Sequence, residues 1–188
     1  GKADAAHIRI TMCFAALWLV VFALPLFLFV RQPAAKTDAT PFLASLRQSI
    51  GLAIRIPDMA RFLLARMLFA DGLVTLFAFG GIYAATVFGL SQTMVLVFGI
   101  LLNITAGIGA AGGGFADDRF GSIAVMRGCL VALAGLGTIA VLAPNGAVFW
   151  MAGAALGLFI GPLQSSARAY VARRAPPDQR ASLFGLIM

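Results

Sequence analysis

Apolar residues fill long stretches of this chain that contain no Asp, Glu, Lys or Arg. The first such stretch is residues 10–30, and its 21 residues at ~1.5 Å each would cross the ~30 Å hydrocarbon core of a bilayer once. Two further charge-free stretches, residues 72–116 and 128–167, are each too long for a single crossing. This pattern predicts an all-α fold, a polytopic bundle of transmembrane helices.

Short turn-forming segments divide the two longer stretches. Residues 89–92 are Gly-Leu-Ser-Gln, and residues 144–146 are Pro-Asn-Gly, a strong turn signal. Each segment predicts a helical hairpin. The predicted spans are residues 10–30, 60–88, 92–115, 123–143 and 147–168, followed by the start of a sixth near residue 181.

Both ends of the chain suggest a piece of a larger protein. The sequence has no initiator Met, and its last apolar segment, ASLFGLIM, stops at residue 188 just after that segment begins. We therefore expect a fragment whose missing part completes the helical bundle.

The composition is that of a membrane protein. Hydrophobic residues make up 61% of the chain and charged residues 11%, with a mean hydropathy of +0.97. A soluble domain carries about a quarter charged residues. A cleavable signal peptide is the alternative for residues 10–30, although that stretch is longer than a typical signal-peptide core.

The basic residues predict the orientation of the chain. Lys2 and Arg9 lie on one side of the predicted membrane, whereas 12 basic residues lie on or beside segments of the other side. Loops rich in Lys and Arg face the cytoplasm. We therefore expect a multi-pass protein of the cell inner membrane, with the linker and the loops at 117–121 and 169–180 cytoplasmic. The net charge of +7 then reflects topology and not a nucleic-acid partner.

The only long polar connection is residues 31–57. Thr40 can cap a helix that has Pro41 at its first position, and the apolar residues that follow fall on one side of it. This predicts an amphipathic helix on the inner membrane surface. The alternative is a disordered basic loop.

Metal, cofactor and enzyme signatures are not visible in the sequence. Cys13 and Cys129 lie inside predicted spans without metal-ligand spacing, and His7 stands alone. We also see no phosphate-binding loop and no nucleophile–base pair. The sequence therefore predicts no metal, no cofactor and no enzymatic activity.

Charge and glycine are concentrated in GGGFADDRFG, residues 112–121, which the span boundaries place in a loop between the third and fourth spans. Asp118 would lie just ahead of the next helix, where its carboxylate could face the positive helix terminus. Arg119 could pair with a nearby carboxylate or carbonyl. The loop is a candidate conformational latch, and the alternative is an ordinary short turn.

The motif Gly114-Phe-Ala-Asp-Asp118-Arg119-Phe-Gly121 resembles G-x-x-x-D-R-x-G, the cytoplasmic loop signature of the major facilitator superfamily. It departs from the family pattern after Gly121, where Ser122 follows in place of a basic residue. Two further stretches resemble the branch of vacuolar amino-acid effluxers and their bacterial relatives: FLLARMLFADGLVTLFAFGGIYAA at 62–85 and GPLQSSARAYVARRAPPDQRASLFGL at 161–186.

This resemblance implies a twelve-helix major-facilitator-type fold made of two halves. Residues 1–31 would then be the last helix of the N-terminal half, residues 32–57 the central cytoplasmic linker, and residues 58–188 an incomplete C-terminal half. The binding partners would be the missing N-terminal half, the lipid bilayer and a small-molecule substrate.

Asp71 is the most informative residue inside a predicted span. A carboxylate at helix-centre depth costs ~2.5–3.5 kcal/mol on insertion scales, which marks a functional group or a structural ion pair. Thr75 follows four residues later on the same helix face. The resemblance places both residues in a central cavity opposite Gln164, Ser165 and Arg168. Asp71 would either couple transport to a substrate or proton, or pair with Arg66 or Arg168.

These features predict a secondary active transporter of small solutes that works by alternating access. The resemblance implies small amino acids as substrates and efflux as the direction, with proton coupling as an option. The alternative is a non-transporting membrane scaffold or receptor on the same fold, because fold does not fix function. A cavity-facing carboxylate at residue 71 favours transport over a scaffold.

Overall fold

The computed structural model describes residues 6–29, 50–51, 54, 56, 58–176 and 183–185. Within these residues, five helices are long and apolar enough to cross a membrane. They are α1 (Ala6–Phe29), α2 (Met59–Phe88), α3 (Gln92–Phe120), α4 (Ser122–Val141) and α5 (Gly146–Arg174). The all-α fold and the five complete spans are thus confirmed.

Two predicted segments fall wholly or partly outside the described residues. The amphipathic helix predicted to start at Thr40 lies outside them up to residue 49. Of the predicted sixth span, residues 183–185 are described and are helical. Leu183 within this short piece is fully buried.

The chain divides into two compact units, Gly1–Thr40 and Pro41–Met188. α1 is the described helix of the first unit, and its apolar side chains are exposed along its length. The Trp18 ring contacts Phe14 and Phe22, with centroid distances of 5.9 and 4.6 Å. A helix that is apolar on every side suits an environment of lipid or of other membrane helices.

In the second unit, the first hairpin forms where the sequence predicts it. α2 begins after Asp58, which pairs with Arg61 at 3.4 Å, and it ends at Gly89, whose φ of 62° favours glycine. Ser91 then caps α3, because its Oγ accepts a hydrogen bond from the Met94 N–H.

The second hairpin joins α4 to α5 through the predicted Pro-Asn-Gly turn. Asn145 Oδ1 accepts a hydrogen bond from the Val148 N–H at 3.0 Å, so Asn145 is the N-cap of α5. Near the same end of the bundle, the Tyr83 hydroxyl donates to the Val141 carbonyl at 2.7 Å. This hydrogen bond ties α2 to the end of α4.

α5 is the central helix of the second unit and packs against both α3 and α4. Leu163, Ala167 and Val171 on α5 are fully buried. Met59 and Leu73 of α2 belong to the same apolar cluster as these residues. The packing of α5 against its neighbours therefore fixes where the polar side chains of α5 lie in the second unit.

The contact between α3 and α5 is made by small residues. Gly153, Gly157 and Gly161 occur at every fourth position of α5 and form one face of the helix, the glycine face. A Cβ at Gly157 would overlap Thr105 Oγ1, and a Cβ at Gly161 would overlap the Ala106 carbonyl oxygen. The two backbones thus approach as closely as small-xxx-small motifs allow in membranes.

Pro162 is accommodated at this same contact. Proline removes the N–H that would bond the carbonyl of residue i−4, here Leu158. The Leu158 carbonyl oxygen lies directly against Gly109, and a Cβ at Gly113 would lie 2.6 Å from Pro162 Cβ. Glycines on α3 therefore make room for both the proline ring and the carbonyl it leaves free.

Candidate functional site

A charged network joins the ends of α3, α4 and α5. Arg173 on the last turn of α5 places Nη1 2.8 Å from Asp117 Oδ2 and Nη2 3.0 Å from Asp118 Oδ1. Ser122, the first residue of α4, donates its hydroxyl to Asp117 Oδ2 at 3.1 Å. Arg173 Nη1 also donates to Ser122 Oγ at 3.3 Å. One guanidinium thus bridges three helices.

Burial differs sharply within this network. The Asp117 side chain is 6% exposed, whereas that of Asp118 is 79% exposed. Asp117 lies in the last turn of α3, where the helix dipole disfavours a negative charge. Arg173 and Ser122 stabilise the Asp117 carboxylate through direct hydrogen bonds. Because Asp117 is buried, solvent screens its pair with Arg173 less than it screens the pair of Asp118 with Arg173.

The structure corrects the predicted loop at residues 112–121. α3 continues through Phe120, so the predicted end of the third span at residue 115 is wrong, and Gly121 alone connects α3 to α4. The helix continues because Gly109 and Gly113 pack closely on Leu158 and Pro162 of α5. Gly121 has φ 83°, a conformation that favours glycine, whereas Gly114 is an exposed helical residue.

The predicted roles of Asp118 and Arg119 also change. Asp118 is not the residue just ahead of α4, because it lies in the last turn of α3 and Gly121 is the N-cap of α4; the Asp118 carboxylate binds Arg173. Arg119 is exposed, and its guanidinium lies 5.8 Å from the Phe120 ring centroid. No ion pair of the described residues includes Arg119. Its predicted pairing with a carboxylate is not observed.

Sequence reasoning missed Asp117 and Arg173, the two residues at the centre of the network. Arg173 lies 56 positions after Asp117, and local spacing cannot pair residues that far apart. The basic-residue pattern did place the ends of the third and fifth spans on one side of the membrane. Since both span ends lie on that side, the sequence did indicate that an aspartate of the third span could meet an arginine of the fifth.

Asp71 and Thr75 both lie on an exposed face of α2. Leu73, between them, is 9% exposed and packs in the apolar cluster with α5, so Asp71 points to the opposite side. Among the described residues, Asp71 has no ion pair and no hydrogen bond through its side chain. The alternative pairing with Arg66 or Arg168 is therefore not observed.

The three candidate residues on α5 lie close in sequence on one flank of the helix. Gln164 and Ser165 are half-buried and Arg168 is exposed. Ser165 donates its hydroxyl to the Pro162 carbonyl of its own helix at 3.1 Å. No ion pair of the described residues includes Arg168.

Thr75 also lines a cavity of about 400 Å³ between α2, α3, α4 and α5. The walls are otherwise apolar, and they include an aromatic group made of Tyr83, Phe98 and Phe149. Ring centroids of Phe98 and Phe149 lie 5.1 Å apart. Such a lining suits apolar groups, and it offers no charged side chain.

Comparison with known proteins identifies the family of the chain. The model of the family described as vacuole effluxer Atg22 like matches residues 2–188. Comparisons with curated proteins and with solved structures gave no match.

Proposed function

Because the chain belongs to the family described as vacuole effluxer Atg22 like, we propose that it is part of a secondary active transporter that moves small solutes by alternating access. α1 is then the last helix of an N-terminal half, residues 32–57 are the linker, and residues 58–188 belong to the C-terminal half. Small amino acids are the proposed substrates, moved as efflux and coupled to protons. The proposed setting is the cell inner membrane, with the linker cytoplasmic.

Asp71 is the observation that carries this proposal. It is an ionisable residue within a candidate span, and no described residue compensates its charge. Such a residue needs a wet cavity or a ligand, because charge in the hydrocarbon core is costly. An exposed face of α2 supplies this setting once a second half covers it. There the carboxylate can hold a proton or contact a cationic group of the solute.

Asp71→Asn is expected to abolish concentrative transport by the intact protein. The asparagine keeps the shape of a protonated carboxylate but cannot release a proton, so exchange of substrate survives while uphill movement stops. Stability stays near that of the wild type, because no arginine partner is left without its counterion. Uptake of radiolabelled amino acids into proteoliposomes with an imposed pH gradient, per folded molecule, measures the effect.

Asp58→Asn is the matched control. Asp58 immediately precedes the same helix, outside its apolar part, and pairs with the exposed Arg61. It should transport at the wild-type rate, since exposed pairs contribute ~0–1 kcal/mol. Uphill transport by Asp71→Asn would contradict the proposal. A wild-type protein that transports no amino acid in either direction would favour the scaffold alternative.

A second expected outcome concerns topology. Single cysteines placed in residues 36–55, 117–121 and 173–180 should react with impermeant reagents only from the cytoplasmic side. Cysteines in residues 89–92 and 144–146 should react only from the opposite side, because both hairpin tips lack charge. Labelling of residue 145 from the cytoplasm alone would contradict this orientation.

The Arg173 network is proposed as the latch that holds one state of the transport cycle. The network connects the ends of three helices through side chains. A single residue of the chain, Gly121, joins α3 to α4 beside it. A latch of this kind acts by stabilising one conformation over another, so its removal changes their populations.

A further inference from the structure

The cavity that Thr75 lines lies between α2, α3, α4 and α5, within their candidate spans. It extends from Thr75, near the middle of α2, to Tyr83 and Val141, whose hydrogen bond joins α2 to the end of α4. Its volume is about 400 Å³. An apolar cavity of ~150 Å³ is large enough to bind benzene. The cavity therefore has room for a compact organic molecule of about two aromatic rings.

Glycines of three helices leave this space open. Gly80 on α2, Gly99 on α3 and Gly137 on α4 all line the cavity, and a Cβ at any of them would meet no atom within 4 Å. Each lies on the same helix face as lining residues three or four positions away, so an added side chain would extend into the cavity. Glycines in membrane helices usually allow two backbones to approach, as on the glycine face of α5. These three glycines instead keep a space free of side chains.

One wall of the cavity is aromatic and held in place. A Cβ at Gly153 would overlap the Phe98 ring, so this ring lies directly on the backbone of α5. The Phe98 and Phe149 rings are stacked with centroids 5.1 Å apart, and the Tyr83 centroid lies 6.0 Å from that of Phe149. A further ring can pack on such a group at a similar distance. A rigid aromatic ligand also loses less conformational freedom on binding than a flexible acyl chain would.

The Thr75 hydroxyl is a polar group that such a ligand could reach. The hydroxyls of Thr86, Thr105 and Thr138 each donate to the carbonyl four residues earlier in their own helices. Within the described part of the chain, the Thr75 side chain makes no such bond, whereas the Tyr83 hydroxyl is already engaged. The side chains that line the cavity carry no charge. The lining therefore favours a neutral ligand with one hydrogen-bonding group.

We propose that this cavity binds a neutral, compact aromatic molecule with one hydrogen-bonding group, of the naphthol or indole class. Its rings lie against Phe98 and Phe149, and its polar group faces the Thr75 hydroxyl. The molecule contacts all four helices and therefore stabilises α2 against the other three. This binding does not depend on the proposed transport activity.

The probe is 2-naphthol, tested with the intact protein in detergent and in phosphatidylcholine nanodiscs. Its fluorescence measures saturable binding above the partition into empty micelles or nanodiscs. Thr75→Val should weaken 2-naphthol binding about three- to tenfold, because one hydrogen bond is lost. Naphthalene, which has no hydroxyl, should bind the wild type and Thr75→Val equally. Equal weakening of both ligands would contradict the role given to the Thr75 hydroxyl.

Gly137→Leu and Gly135→Leu form a matched pair. Both glycines lie on α4 with no atom within 4 Å of an added Cβ, but Gly137 lines the cavity and Gly135 does not. Gly137→Leu should fill the cavity and abolish saturable 2-naphthol binding, whereas Gly135→Leu should bind like the wild type. Without ligand, Gly137→Leu should unfold at a higher temperature than Gly135→Leu, because it buries apolar atoms in open space.

Three results would overturn the proposal. The first is equal 2-naphthol binding by the two leucine variants. The second is a lower unfolding temperature for Gly137→Leu than for Gly135→Leu, because another part of the intact protein would then fill the cavity. The third is binding in detergent but not in nanodiscs, since a lipid acyl chain would then be the occupant. Gly99→Leu fills the same cavity from α3 and is expected to give the same result as Gly137→Leu.

Discussion

Replacing Gly157 with leucine is expected to prevent the intact protein from folding stably in the membrane. A Cβ at this position would overlap Thr105 Oγ1 and lie 2.8 Å from the Leu102 carbonyl oxygen. Overpacking a tight core by a methylene or two costs ~1–3 kcal/mol. Leucine adds four carbon atoms against a neighbouring backbone that cannot rotate away, so the loss should exceed that range.

The same argument applies to Gly161, where an added Cβ would overlap the Ala106 carbonyl oxygen and lie 2.8 Å from the Ala110 nitrogen. Gly135→Leu on α4 is the matched control, because nothing lies within 4 Å of a Cβ there. Fluorescence-detected size exclusion gives the yield of monodisperse protein, and a thermal ramp gives its stability. If Gly157→Leu matched Gly135→Leu in both, the close contact of α3 with α5 would be wrong.

Arg173→Gln is expected to give the largest loss of stability among variants of the charged network. It leaves the Asp117 carboxylate buried at 6% exposure without its cation. Breaking a buried pair from one side costs ~3–5 kcal/mol. The Arg173 side chain is 50% exposed, so the loss should fall near the lower end of that range.

The relative stability losses of the other variants also test whether the buried Asp117–Arg173 pair carries most of the stability of the network. Asp117→Asn should be milder, because it removes the buried charge itself and leaves Arg173 with Asp118. Asp118→Asn should have almost no effect on stability, since that side chain is 79% exposed. The double variant Arg173→Gln with Asp117→Asn should recover much of the loss seen with Arg173→Gln alone.

Arg174→Gln is the control for this series. Arg174 is next to Arg173 in the sequence, but its own guanidinium lies over the Tyr170 ring, 5.9 Å from the centroid, and is not part of the charged network. Thermal unfolding in detergent measures stability, and paired-label distances measure conformational populations. Asp117→Asn should shift those populations if the network is a latch. A double variant no more stable than Arg173→Gln would show that the two residues act independently.

The spans and their two hairpin turns could be predicted because each depends on local sequence. A charge-free stretch of bilayer length and a turn such as Pro144-Asn145-Gly146 need no tertiary partner to be recognised. The end of α3 was misjudged for the opposite reason. Glycine and aspartate near residue 117 favour a loop locally, and here packing on α5 and the Arg173 contact override that preference.

The sequence could indicate which residues are candidates for the site, but not which residues or helices they contact. Asp71 stood out because a carboxylate in an apolar span is costly wherever it points. Its orientation, opposite to Leu73, depends on how α2 packs against α5. The glycine face of α5 is visible in the sequence at residues 153, 157 and 161, but its partner helix follows only from the fold.

The short connection at Gly121 makes α3 and α4 a lever with its fulcrum at one end. α3 is about 44 Å long, so a swing of about 5° at Gly121 would displace its far end by about 4 Å. α5 would have to adjust as well, because it contacts α3 along the glycine face and also packs against α4. Because Arg173 contacts the ends of α3 and α4 beside Gly121, a small displacement there would accompany a larger one at the far end of α3.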